Sequence, residues 1–512
     1  MAALFTTVGC KKDLLDVKNE NNYSDQTYFK KAPQFNEALI ATYSVFLHQG
    51  MYSREMYFIY DLIGNDAEKD APLLGDLLQL SDYSYASSNG LPKSLWASLY
   101  RMIFRANIVI GKANEWQPTE TSDQDLKKQY IAEAKFLRSF AYFYLVNSWG
   151  RVPLRLSIED SKKSASPRVA VTEIWKTIEA DLAAAIPGLP VAHDATNRGR
   201  ATKGAAIALL GKSQLFQKKY SEAATTLESL TKMPFAYSLN PSFDNQFSES
   251  SGTSPETVFD VPHKWTDWAI GNQYYMFGGQ EAWGGKTAHT GRAQEYGFND
   301  WRNVFISTAQ VNAFTYPHPV TGLAYTDPRA KLTFYGDALS GGDVDYCNTC
   351  AGGAKPYVFN ASNGYRWRKY EPYEWLEQSG GPQSSINSQV IRYSDVLLML
   401  AESYIEQNQA DKALPLINQV RARVGAVAYP TLGSQTTATS ILRRERQVEL
   451  AGEQVRWFDL VRWGIAKQTL NAEKQIQIGK QPFQDKHVLL PIPQAEKDSN
   501  PEVATDVSNE WN

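Results

Sequence analysis

Trp265, Trp268, Trp283 and Trp301 fall within one short stretch, four of the chain's thirteen tryptophans, interleaved with Tyr274, Tyr275, Tyr296 and seven glycines. Trp and Tyr rings are flat and amphipathic, with an apolar face and a polar N–H or O–H at the rim, and they suit an exposed surface that must hold a ligand. Gln273, Gln280 and Arg292 lie among them and can fix hydroxyl or carbonyl groups. Any one of these tryptophans taken alone reads equally well as packing under a long loop; the clustering favours a ligand. Trp367, Tyr370, Tyr373 and Trp375 form a reserve set.

Catalytic chemistry finds less support. Glycoside hydrolysis needs two carboxylates flanking a cleft at a defined separation, and the spacing of Asp66, Asp70 and Asp300 singles none of them out. The six His are scattered, with no Ser/His/Asp or Cys/His arrangement for a nucleophile. Cys347 and Cys350 make a C-x-x-C in a Gly-rich loop, but no second ligand pair matches zinc spacing. A local disulfide is the preferred reading, free thiols the second. No cofactor is expected. A structural calcium where Asp343 and Asp345 cluster stays open, without an EF-hand-like loop.

Composition narrows the classes further. A formal net charge of −3 removes the broad attraction on which non-specific nucleic-acid binding depends. No apolar run approaches the ~20 residues of a membrane-spanning helix. Met1 to Val8 is a short apolar stretch leading to Gly9 and Cys10, without the basic n-region and long h-region of a secretory signal. Thr7-Val8-Gly9-Cys10 resembles a lipobox, whose cysteine is acylated; a frayed N-terminus with a chance cysteine is the ordinary reading.

These groups need a frame, and the periodicity predicts a helical one. Ile131, Ala134, Leu137, Ala141, Tyr144 and Leu145 form a stripe at helical spacing, with Ser122 and Asp125 as a capping pair. Amphipathic stretches cover 34–48, 92–116, 171–187, 202–217, 220–231, 391–407, 410–423 and 438–463, broken at Gly150, Pro153, Pro187, Pro190, Pro234 and Gly425. Leu210-Gly211, Tyr220 and Ala223 recur at the same spacing as Leu400-Ala401, Ala410 and Ala413, the pattern of a tetratricopeptide hairpin whose small residues let two helices approach closely. Between 235 and 388 helical periodicity fades. The expected architecture is mainly α, a tetratricopeptide-type helical repeat scaffold with a long loop-rich aromatic insertion. Its divisions are 1–9 as a signal remnant, 10–33 as an N-terminal segment, 34–234 and 389–512 as scaffold, and 235–388 as the insertion.

The C-terminal third carries a resemblance. Ile391 to Glu402 (IRYSDVLLMLAE), Glu445 to Glu453 (ERQVELAGE), Arg456 to Gly464 (RWFDLVRWG) and Leu490-Pro491-Ile492-Pro493 stand in the order and spacing of the SusD/RagB family. Leu95 to Asn107, Ala132 to Arg138, Trp149 to Leu154 and Asp327-Pro328-Arg329 are similar to earlier blocks of the same family. Gln454 departs from it, standing where a glycine is usual. The resemblance implies a lipid-anchored, surface-exposed outer-membrane protein held through Cys10, without enzymatic activity. It would bind oligosaccharide and serve a SusC-like TonB-dependent transporter. A peptide-binding member of the family, or a tetratricopeptide adaptor, is the alternative. It further implies a ligand face that includes the loop Gly64 to Asp70, adding Asn65, Asp66, Lys69 and Tyr83, with Tyr85 nearby, to Trp265, Trp268, Tyr274, Tyr275, Trp283, Arg292 and Trp301. Arg446, Glu449, Arg456, Asp459 and Arg462 read as charges tying helices together, Trp96 and Asn107 as scaffold residues, and Arg443-Arg444 as a solvated face.

Overall fold

The computed structural model describes residues 28–70, 75–263, 280–282, 285–287, 290–297, 302–346, 355–360, 363–370, 385–474, 481–506 and 511. Its frame is a succession of helices, each packed on the next. Ala32–Tyr43 lies on Gly90–Glu115, which packs on Thr121–Trp149, and this on Val171–Ala185. Lys203–Phe216 and Tyr220–Glu228 follow, and then Tyr393–Glu406 and Ala410–Ala422. The last two continue the stack although some 160 residues separate them in sequence from Glu228. One apolar core runs along it, from Ala32 and Phe35 through Phe140 and Leu397 to Val503.

The two hairpins match residue by residue. Lys218 and Asn408 sit in their turns with φ of 61° and 59°. The hydroxyls of Ser213 and Ser403 each donate to the carbonyl four residues earlier, and the side-chain amides of Gln217 and Gln407 each donate to the carbonyls of those serines. Ala223 and Ala413 are fully buried. A Cβ placed on Gly211 would lie 2.6 Å from Leu227 Cγ, so only glycine lets these helices approach so closely. Gln407 also donates to the Tyr220 carbonyl and so binds one hairpin to the other.

Three expectations need correction. The helix over Thr121–Trp149 is capped at Glu120 without a side-chain bond, so Ser122 and Asp125 already lie inside it; Asp125 pairs instead with Lys128. The stretch 34–48 ends as an α-helix at Tyr43 and tightens into a 3₁₀ turn over Ser44–Leu47. The stretch 438–463 is two helices, Gln435–Glu449 and Arg456–Arg462. Gly452 (φ 67°) and Gln454 (φ 59°) take left-handed conformations between them, which no helix can contain.

The C-terminal motif builds a buried ion lattice. Glu449 accepts from Arg329 (3.1 Å), Arg392 (3.0 Å) and Arg423; Arg392 also reaches Glu256 and Glu453. Arg446 bonds Asp395 (2.9 Å) and Asp459 (2.7 Å), and Arg462 bonds Glu402 and Asp459. Burial would raise Glu449, but Arg423, Arg392 and Arg329 outweigh it and hold the carboxyl well below its usual range. Trp96 and Asn107 are buried as well, bonded to Glu496 and to the carbonyls of Arg155 and Ser157. Arg443 and Arg444 are not a solvated face: they are half-buried and stack over Trp463 (5.0 Å) and Tyr316 (4.2 Å).

Candidate functional site

The chain leaves the Glu55–Ile63 helix at Gly64, and Asn65, at φ 59°, turns it into the short strand Ala67–Lys69. Asn tolerates this left-handed conformation better than most residues. The strand pairs antiparallel with Val304–Ile306, in the register Ala67↔Ile306, Glu68↔Phe305 and Lys69↔Val304. The Asp70 amide donates to the Asn303 carbonyl (2.9 Å), and the Ser307 amide to the Asp66 carbonyl (3.0 Å), so the ladder continues past both ends. The polar loop and the segment that follows the Trp265–Trp301 cluster, candidates read separately from the sequence, therefore share one two-stranded sheet.

The insertion is held at two places along its length. The His263 amide donates to Asn387 Oδ1 (3.1 Å), within the insertion itself. The Gly291 amide donates to the Ser53 carbonyl (3.0 Å), the Thr290 hydroxyl to the Tyr52 carbonyl (3.2 Å), and Arg54 pairs with Glu295, which ties the insertion to the scaffold.

At the outer end of the sheet stand Lys69, Asp70, Arg302 and Phe305. Asp70 Oδ2 lies 2.6 Å from Arg366 Nη2 and 3.6 Å from Arg302 Nη2. Asp70 and Arg302 are 30% and 31% exposed, whereas Arg366 is 3% exposed and its guanidinium lies over the Phe305 ring at 5.6 Å. Nε and Nη1 of Arg366 are buried without a hydrogen-bond partner. The rim thus combines a carboxylate acceptor, cationic donors and an aromatic ring. Arg302, Phe305 and Arg366 were not singled out from the sequence, although each adjoins a residue or region that was.

Four predicted ligand-face residues turn inward instead. Asn65 donates to Glu473 (2.9 Å). Asp66 accepts from the Gly452 amide (3.0 Å); burial pushes its carboxyl up to about 8, against the opposing charge of Arg456. Tyr83 packs edge-on to Phe483 at 5.1 Å and donates to the Ile63 carbonyl. Arg292 donates to the Gly452 carbonyl, stands 3.3 Å from Asp61 and lies 4.0 Å from the Tyr370 ring centre. A charge or amide taken out of water must find an internal partner, and these side chains are spent on such partners. Tyr85, Trp367 and Tyr370 are likewise core residues. Asp343 lies 3.0 Å from Arg368, and no group of three metal-ligating side chains gathers among the described residues.

Cys10, Trp265, Trp268, Gln273, Tyr274, Tyr275, Trp283, Trp301, Cys347, Cys350, Tyr373 and Trp375 lie outside the described residues, as does the side chain of Gln280. Among the described residues no helix is long and apolar enough to cross a membrane.

Residues 236–508 match the model of the SusD family, and residues 13–215 match a second model described as starch-binding and associating with the outer membrane. SusD-like protein P2 of Formosa agariphila is 26% identical over 517 residues, spanning 96% of this chain and 94% of that one. A SusD superfamily protein from Bacteroides vulgatus superposes with a TM-score of 0.77 at 25% identity, covering 93% of this chain and 98% of the other. A laminarin-binding SusD-like protein does so with a TM-score of 0.71, also at 25% identity, covering 92% and 98%. With more than half of its length matched by the family's own model, this chain belongs to the SusD family.

Proposed function

We propose that the protein is a non-enzymatic glycan receptor at the outer membrane, anchored through Cys10, which holds oligosaccharide for a SusC-like TonB-dependent transporter. The reading rests above all on the pairing of Ala67–Lys69 with Val304–Ile306, which brings Asp70, Arg302 and Arg366 together, Arg302 following Trp301 directly in the chain. A pyranose presents an apolar C–H face and a rim of hydroxyls. The insertion's rings match the first, and a carboxylate with guanidinium donors matches the second. Lys69, Trp265, Trp268, Tyr274, Tyr275, Trp283 and Trp301 are the proposed contacts, and Asp70 and Arg302 join them. The starch-binding description of the second matched family and the laminarin-binding neighbour support a glycan as ligand. A glycosidase would need a pair of carboxylates across the cleft; among the described rim residues Lys69, Asp70, Arg302, Phe305 and Arg366 the carboxylate is Asp70, and Asp300 lies outside the described residues.

Affinity electrophoresis through gels cast with laminarin, starch and other polysaccharides tests this, beside the variants Trp265→Ala, Trp268→Ala and Trp283→Ala. Retardation in one polysaccharide class, lost in at least one variant, is the expected outcome. Free migration in every gel, together with binding of peptides, would move the protein to the peptide-binding branch of its family. Release of shorter sugars during incubation would contradict the non-enzymatic reading.

A further inference from the structure

The Gln435–Glu449 and Arg456–Arg462 helices line a cavity of about 250 Å³ together with the start of Ala466–Lys474, and none of Lys69, Asp70, Arg302, Phe305 or Arg366 lines it. Ser440, Arg443, Arg444 and Gln447 line one wall. Their spacing of three, four and seven residues puts them on a single helical face. Trp463, stacked under Arg443, and Asp66, reached from the N-terminal loop, line it as well.

The charges around this cavity do not cancel. Arg446 is spent on Asp395 and Asp459, and Arg456 on Glu473 and the Gly64 carbonyl. Arg443 and Arg444 have no carboxylate bonded to them among the described residues. Arg443 stacks on Trp463 and acts on the Glu406 carboxyl through its field alone. Arg444 donates to the neutral Tyr429 hydroxyl (2.6 Å). The Nε atoms of both are buried and donate to nothing. A buried donor left without an acceptor costs about 1–3 kcal/mol, so two such donors in one cavity wall mark a place where an anion would lower the free energy. Asp66 lines the interior with part of its hydrogen-bonding capacity left over. Its Oδ2 accepts from the Gly452 amide, and its buried Oδ1 stands 3.7 Å from Arg456 Nε without a hydrogen bond. Its raised pKa, to about 8, keeps the acid protonated near neutrality, so it can also donate.

We propose that this cavity binds a small hydroxylated carboxylic acid of sugar-acid size, its carboxylate on Arg443 and Arg444 and a hydroxyl on Asp66. Pockets for drug-sized ligands run to roughly 300–1,000 Å³, so a cavity of about 250 Å³ suits one such unit and not a polymer. Guanidinium groups matched to a carboxylate also set it apart from a site for neutral sugar. This site is distinct from the rim proposed above and does not depend on that proposal.

The test is calorimetric titration of the full chain with D-galacturonate, D-galactose and inorganic sulfate, with thermal melting as a control on every variant. Galacturonate is expected to bind once per chain, and galactose not to bind. Loss of charge-assisted bonds in the Arg443→Gln/Arg444→Gln double variant should weaken binding about tenfold or more. Ser440→Trp, on the exposed side of its helix, should block the cavity without touching the core and abolish binding. No saturable binding of galacturonate, or equal affinity in the parent and both variants, would overturn the proposal. Sulfate or galactose binding as well as galacturonate would overturn the ligand class.

Discussion

Asp70 and Arg366 stand 296 positions apart in the chain and meet at 2.6 Å, Oδ2 to Nη2. The contact clamps the outer end of the sheet that joins the N-terminal loop to the insertion, and it holds Asp70 where a ligand could reach its free oxygen. Without Arg366 the ladder should open more readily. Charge-assisted bonds are worth about 1.5–3 kcal/mol, less when half the pair meets solvent. Arg366→Met should therefore speed amide hydrogen exchange in Ala67–Lys69 and Val304–Ile306 about tenfold, as read by mass spectrometry. Unchanged exchange would mean that the ladder holds without the pair.

Asp66 gives stability an unusual slope with pH. Its folded value of about 8 lies above the roughly 3.9 of an unfolded aspartate. The folded chain thus keeps a proton that the unfolded chain has released. Its contribution is full below about pH 4 and declines as pH rises towards 8. Asp66→Asn removes this slope and retains an acceptor for the Gly452 amide. Relative to the parent, the variant should gain up to about 5 kcal/mol between pH 4 and pH 8. Urea melts at both pH values measure it, and a constant difference between the two proteins would refute the assignment.

The lattice around Glu449 behaves in the opposite sense. Its carboxyl is held down by three guanidiniums that outweigh burial, so its stabilisation is full above the unfolded value and fades as pH falls below it. Glu449→Gln leaves Arg329, Arg392 and Arg423 with a neutral partner. Breaking a buried pair in this way costs about 3–5 kcal/mol. Chemical denaturation at neutral pH should register that loss, with the gap to the parent narrowing in acid.

What the sequence disclosed follows from how local each requirement is. The hairpins were legible because Gly211 and Ala401, Ala223 and Ala413 answer a close approach between helices adjacent in the chain. The break inside 438–463 was not, because Val455 to Trp463 continues the apolar pattern while the backbone reverses at Gly452 and Gln454. Gln454, the position where the family usually has glycine, takes φ 59°, and its backbone and side-chain amides both point to Asp61; those bonds offset the cost of a left-handed glutamine. Asn65 and Asp66 looked like surface groups because their chemistry is polar. Their burial depends on Glu473, Gly452 and Arg456, nearly four hundred residues away, which no local pattern records. Arg366 was hidden for the same reason.

The most direct measurement is calorimetric titration of the parent protein and the Asp70→Ala/Arg302→Ala double variant with an oligosaccharide of the polysaccharide that retards the parent in gels. Both side chains are partly exposed, but Asp70→Ala also removes the acceptor of buried Arg366, so the variant should melt somewhat lower than the parent, and both are titrated well below that transition. Its affinity should fall about tenfold or more through lost charge-assisted bonds. Equal affinity in the two proteins would contradict the account, since the ligand would then lie elsewhere than at the rim where the loop and the insertion meet.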